Sequence, residues 1–182
     1  MTANNIAAQL CTLFAMELAE RCHTDACDHV ASDGAWDIGP VFVKGIPAAQ
    51  GSKRFLGASK AGKPRFEEAS KSLPGWRKSI RDALLPLMEG RDLLDGPLEV
   101  QARFVFLRPQ HHYVAGDRSR PLKPSAPVWH AQAPDLSKLL RGMEDELNGV
   151  VWTDDSRIAM FADPQKRWGS QPGMEIAIRR LA

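Results

Sequence analysis

The chain has 182 residues, 43% of them hydrophobic and 25% charged. That length holds one domain with a full core and excludes two of ordinary size, and the composition excludes wholesale disorder. The formal net charge of +2 averages over two opposite stretches. Residues 1–36 carry Arg21 alone against Glu17, Glu20, Asp25, Asp28 and Asp33. Beyond them Lys44, Lys53, Arg54, Lys60, Lys63, Arg65, Lys71, Arg77 and Lys78 face only Asp37, Glu67 and Glu68. Local basic clustering is what a phosphate-rich partner requires, and it is also how a solvated lysine-rich loop reads. Cys11, Cys22 and Cys27 are an odd number confined to one end, which is no disulfide framework and fits a reducing compartment. The stretch "IAAQLCTLFAMELA" lacks a positive flank and is interrupted by Gln9 and Glu17. It reads neither as a signal peptide nor as a membrane span, so cytoplasmic residence is the expectation.

In chain order, Ile6, Leu10, Leu13, Phe14 and Leu18 recur at helical spacing behind Asn4 and Asn5. They predict an amphipathic helix over residues 5–22, inside an acidic extension of residues 1–36 that precedes a main domain of residues 37–182. "DIGPVFVKGIP" predicts a short strand stopped by Gly45 and Pro47. "AAQGSKRFLGASKAGKPRF" shows little periodicity and predicts an exposed, mobile basic loop. Leu73, Trp76, Ile80, Ala83, Leu84 and Leu87 mark a helix within residues 67–90, with Pro74 and Pro86 near its ends. "GPLEVQARFVFLRP" alternates Leu98, Val100, Ala102, Phe104 and Phe106 on one face, as a strand does. "QHHYVAGDRSRPLKPSAPVWHAQAP" is a long irregular segment. Leu136, Leu139, Leu140, Met143 and Leu147 form the apolar stripe of a further helix, stopped at Asn148-Gly149. "SRIAMFAD" and "GMEIAIRRL" predict two final strands joined by "PQKRWGSQP" as a basic hairpin loop. The expected fold is α+β, a small mixed sheet of about four strands with two helices packed on it and an N-terminal helical extension.

Acidic residues bracket the later helix. Asp135 opens it, where a carboxylate caps orphan N–H groups and meets the positive end of the dipole. Asp154 and Asp155 follow its end, where they suit a turn. If the Asn148-Gly149 turn folds the chain back along the helix, these carboxylates converge and need a cation between them. Mg²⁺ is the natural candidate, because it takes one or two carboxylates with waters and phosphate oxygens. Ser137, Arg141 and Asp145 share the face away from the leucine stripe, so Arg141 can reach a bound phosphate or pair with Glu144 or Asp145.

"PDLSKLLR", "DEL" and "NGVVWTDDSRI" resemble the P-D-x-D-[NK]-L-x-[KR], D-x-L and D-D-x-[QR]-[VI] pattern of the RusA-type Holliday-junction resolvases. "GIPAAQGSKRF", "DGPLEVQARFVFLRP" and "PGMEIAI" are similar to further stretches of that family, from about Val41 to Arg179. The resemblance implies a homodimer of small α+β subunits that binds four-way or branched DNA and makes paired symmetric nicks with Mg²⁺, in DNA recombination and repair. It places Asp135 and Asp155 on the first and last catalytic aspartates, Asp154 beside them as a metal ligand, and Arg141 on a catalytic basic position. Lys53, Arg54, Lys60, Lys63, Lys138, Lys166 and Arg167 are the expected phosphate contacts. One departure matters: Ser137 stands where the family commonly has an aspartate, which weakens metal binding unless another carboxylate replaces it. Asp154 is the expected replacement. Glu144 lies seven residues along the helix, roughly 10 Å of rise from Ser137. A junction-binding protein with weakened or lost cleavage is therefore the alternative, and a regulatory DNA-binding protein a third reading.

Other constellations are less specific. Cys22, His23, Cys27 and His29 have the residue types of a Zn²⁺ site without a standard finger spacing. His111, His112 and His130 read as solvated or DNA-facing loop residues, with His130 near Asp135 in sequence. Trp152 reads as core, and Phe55 and Tyr113 as candidates for base stacking.

Overall fold

The structure is a computed structural model and describes residues 35–51, 53–58, 64–68 and 71–181. The expected helix over residues 5–22, the Cys22–His29 cluster, Lys60 and Lys63 lie outside the described residues. Within the unit Ala35–Ala182, the strands are β1 (Ile38–Lys44), β2 (Lys53–Ala58), β3 (Pro64–Glu68), β4 (Leu98–Leu107), β5 (Ile158–Gly169) and β6 (Gly173–Arg180). The helices are α1 (Leu73–Leu84), continued by a 3₁₀ turn at Leu85–Met88, and α2 (Leu136–Leu147).

Four strands form one mixed sheet in the order β1-β6-β4-β5. β6 runs antiparallel to both β1 and β4, and β5 runs parallel to β4. The expected α+β class, with a four-stranded mixed sheet and two helices, is what the chain forms. β4 is central, and this overrides its alternation: Glu99 and Arg103 are buried along with Leu98, Val100, Ala102 and Phe104. They are tolerated because each is paired. Arg179 donates to Glu99 at 2.6 Å, and Arg103 lies 3.2 Å from Asp163 and 3.6 Å from Glu175.

One core joins the elements. Leu73, Trp76, Ile80 and Leu84 of α1 meet Leu139, Met143 and Leu147 of α2 and the sheet residues Val100, Phe104, Ile176 and Ile178. Trp152 belongs to it at 0% exposure, as its place in "VVW" predicts. The two helices are also clamped by charge, since Arg77 reaches Asp145 at 3.3 Å and Arg81 donates to Glu146 at 2.7 Å.

Three sequence expectations are corrected. The basic loop is instead an antiparallel hairpin, with Lys53 opposite Glu68, Arg54 opposite Glu67 and Phe55 opposite Phe66. Its signal is a match between two short segments, which a scan for periodicity within either one misses. α1 begins at Leu73 rather than near residue 67, because Glu67 and Glu68 are spent in β3 and Pro74 sits in the first turn. Finally, "PQKRW" is not a hairpin loop. Gln165–Gly169 continue β5 in register with Arg103–Leu107, and β4 separates β5 from β6. The short link over the end of β4 needs bare backbone: a Cβ on Gly169 would stand 2.4 Å from Val105, and one on Gly173 2.4 Å from the Val43 carbonyl.

Candidate active site

α2 starts at Asp135, whose backbone is extended and whose carbonyl accepts from the Leu139 N–H at 3.2 Å. The carboxylate makes no cap hydrogen bond and turns to Lys138 instead, at 2.8 Å. That bond, with the nearby charge of Lys166, holds the Asp135 carboxyl below the usual range. Both residues of the pair are exposed.

The approach to Asp135 is fastened to β5. Lys166 donates from Nζ to the carbonyls of Gln132 and Pro134, each at 2.6 Å. The His130 N–H donates to the Lys166 carbonyl at 3.0 Å, and the Trp168 N–H to the Val128 carbonyl at 2.9 Å. His130 is 5% exposed and stacks on Phe106 at 4.0 Å, with Trp168 at 4.2 Å. It is a packing residue rather than a solvated one, and burial holds its imidazole below the ordinary value. His112 is buried too, edge-on to Trp168 at 5.4 Å. Arg108 fixes the same corner by donating to the Pro127 carbonyl at 2.7 Å.

An open groove of about 550 Å³ lies in front of Asp135 and Lys138, walled by Pro47–Gly51 and Ser72. The segment Pro47–Gly51 leads directly into β2, the first strand of the basic hairpin. It is docked on α2 by the Gln50 N–H, which donates to the Lys138 carbonyl at 3.1 Å, beside Gly142.

At the other end of α2 the chain reverses tightly. Val150 and Val151 donate to the Leu147 carbonyl, and Gly149 adopts a φ of 71°. Asp155 then opens a 3₁₀ turn capped by Asp154, whose Oδ1 accepts from the Ser156 N–H at 2.9 Å. Arg157 anchors this turn to Asp95 at 2.8 Å. Asp155 itself is exposed, and among the described residues its carboxylate makes no hydrogen bond or ion pair. Its charge is felt by Glu144 on α2. Burial raises the Glu144 carboxyl above the usual range, and Asp155 and then Asp145 push it further up against the opposing pull of Arg141.

The predicted residues therefore fall into two groups. Asp135, Lys138 and Lys166 stand at the start of α2; Arg141 stands at its middle, and Asp155, in the turn that follows, acts on Glu144, a residue outside the predicted set. The Asp135 carboxyl responds to Lys138 and Lys166, whereas the charge of Asp155 acts on Glu144. Among the described residues no three His, Cys, Asp or Glu side chains gather as a metal group. Asp154 is occupied by its turn and Asp135 by Lys138.

The basic positions separate as well. Arg141 is exposed. Arg167 lies 3.2 Å from Glu175, and Lys166 is half-buried under the loop before α2. Lys53 and Arg54 lie on β2. Tyr113 is half-buried and bridges to Leu122, whereas Trp129, which the sequence reading passed over, is 59% exposed beside Arg167 on the edge of β5. Seven residues of helix separate Glu144 from Ser137, but the charge of Asp155 reaches it from the next element. Among the described residues no helix is long and apolar enough to cross a membrane.

A comparison with individual curated proteins finds no match. The family described as "Endodeoxyribonuclease RusA" matches residues 47–179, from the wall of the groove to the end of β6. That span contains the hairpin, both helices, both carboxylate groups and the sheet strands β4 to β6, and the chain belongs to the RusA endodeoxyribonuclease family.

Proposed function

We propose that this protein is a Mg²⁺-dependent, structure-selective endodeoxyribonuclease of the cytoplasm that resolves four-way and branched DNA by paired nicks during recombination and repair. The observation that carries the reading is the groove joining Asp135 and Lys138 to the root of the basic hairpin. A duplex arm followed by Lys53 and Arg54, with Lys60 and Lys63 next in sequence, would thereby be led to the start of α2. Homodimerisation has a geometric purpose, because a two-fold junction needs two matched sites.

Mg²⁺ suits the donors present. Asp155 offers an exposed carboxylate with no other partner among the described residues, and Asp135 a second that is ionised and exposed. Mg²⁺ needs no more than one or two carboxylates beside waters and substrate phosphate oxygens. Asp155 would offer the ion its carboxylate and Asp135 a second once it leaves Lys138, with Asp154 bound into its own turn and Glu144 near Asp155. When bound, the ion supplies Lewis-acid polarisation of the scissile phosphate. Arg141 neutralises charge on the phosphate oxygens. Lys138 and Arg167 must exchange Asp135 and Glu175 for phosphate if they are to bind DNA.

The test is a synthetic four-way junction incubated with Mg²⁺ or with chelator. Paired nicks that need Mg²⁺ and vanish in Asp155→Asn are expected; cutting that persists in chelator would overturn the reading. Ser137 and the lack of a three-carboxylate group among the described residues favour one second reading, a junction binder with weakened cleavage. Ser137→Asp separates the two: a lower Mg²⁺ requirement and faster nicking mark a site weakened at that position, and an unchanged requirement shows that another group already fills the role.

A further inference from the structure

We propose that Lys166 is a positioning residue for Asp135 rather than a phosphate contact, gripping the loop that delivers Asp135 to the groove; this rests on the nuclease reading above.

The geometry is a two-point clamp. A lysine ammonium has three donors and no acceptor. Two of the three are spent on the carbonyls of Gln132 and Pro134, both at 2.6 Å. These carbonyls belong to the last turns of an irregular segment with no ladder of its own, and Pro134 immediately precedes Asp135. Charge-assisted bonds of this length are the stronger kind, and they hold the loop where a neutral side chain would leave two carbonyls to water.

The grip is reciprocal. The backbone carbonyl of Lys166 accepts from the His130 N–H at 3.0 Å, so the same residue holds the loop at its beginning and, through its side chain, at its end. The backbone of Lys166 is in turn fixed by pairing with Phe104 of the central strand β4. A rigid path thus runs from the buried core through β5 to Asp135. Lys166 is half-buried, whereas Lys138, on the groove wall, is exposed and lies beside the carboxylate itself. A lysine meant to meet a phosphate gains nothing from two carbonyl partners already in place.

The two roles predict different measurements. A phosphate contact supports binding equally on any DNA and contributes about one unit to the slope of log affinity against log salt. A positioning residue leaves binding alone and acts on the rate, since a misplacement of about 1 Å can cost on the order of a hundredfold.

The experiment compares wild type, Lys166→Met and Lys166→Arg. Junction affinity and its salt slope are measured in chelator, single-turnover nicking in Mg²⁺, and backbone hydrogen exchange without DNA. For Lys166→Met we expect affinity within about twofold of wild type, an unchanged slope, nicking slowed roughly 10- to 100-fold, and faster exchange confined to residues 131–138. Lys166→Arg, which keeps charge and donors, restores most of the rate. A weaker affinity with a slope reduced by about one would overturn the proposal in favour of a phosphate contact. Faster exchange throughout β4 and β6 would overturn it in favour of a general stabilising role. If the wild type cuts no junction at all, the nuclease reading fails, and the exchange at residues 131–138 still decides the clamp.

Discussion

The backbone N–H of Gln50 donates to the carbonyl of Lys138, which fastens the root of the basic hairpin to the helix that carries Asp135 and Arg141. Gly142 lies beneath the contact, where a Cβ would meet Gln50 N at 3.4 Å, Leu73 at 3.6 Å and the Ala48 carbonyl at 3.7 Å, all ordinary van der Waals distances. Those distances admit one methyl group and nothing larger. Gly142→Ala should raise stability by about 0.5–1 kcal/mol through helix propensity. Gly142→Leu should cost about 1–3 kcal/mol by overpacking and slow nicking as the hairpin root is pushed off α2. Denaturant midpoints and single-turnover rates on the same junction check both.

A buried ion pair makes a second prediction. Glu99 is 3% exposed on the central strand and accepts from Arg179 Nε at 2.6 Å. Removing the arginine strands a carboxylate in the sheet. Arg179→Met should destabilise the protein by about 3–5 kcal/mol, whereas Arg179→Met with Glu99→Gln should recover much of that loss. Urea unfolding of the two variants decides it.

Burial holds the imidazoles of His130 and His112 below the ordinary value. The unfolded chain therefore takes up these protons at higher pH than the folded one. Stability from this source is fully present above about pH 6.5 and is lost as pH falls on through the folded values. The nearby charges of Lys166 at His130, and of Arg108 and Lys123 at His112, act in the same direction. The urea midpoint should drop between about pH 7 and pH 5, and His130→Phe, which keeps the stack on Phe106, should flatten that drop. An equally steep fall in the variant would place the effect elsewhere.

Glu144 behaves oppositely. Burial, then the charge of Asp155, raises its carboxyl. Stability tied to the protonated form is present below the ordinary carboxylate value and is lost as pH rises through the folded one. Glu144→Gln should therefore unfold at higher urea than wild type at neutral pH and match it near about pH 4. Added Mg²⁺ should raise the wild-type midpoint and leave a Glu144→Gln, Asp155→Asn double variant where it is.

Much of this was legible in the sequence, and the failures share a cause. The stripe of Leu139, Met143 and Leu147 and the alternation of Leu98, Val100 and Ala102 named α2 and β4, because each pattern lies within one element. The hairpin of β2 and β3 escaped because its logic lies between segments, in Lys53 opposite Glu68. Gln165–Gly169 looked like a basic loop, yet a parallel partner on β4 turns it into strand and turns Lys166 inward. The motif residues Asp135 and Asp155 were plain to read, but which carboxylate keeps Asp155 company depended on how far the "VVW" return carries the chain along α2. Sequence spacing alone does not give that distance.

The strand order has a consequence for how the domain comes together. β1 and β4 do not pair; β6, the latest of these strands to be made, lies between them and pairs with both. While the chain is still emerging from the ribosome, Ile38–Lys44 has no partner in the sheet and β4 has one edge bare. The hairpin, α1 and α2 can form early from local contacts, but the sheet closes only when Gly173–Arg180 arrives. A chain stopped short of that strand keeps the residues of both carboxylate groups and loses the platform under them.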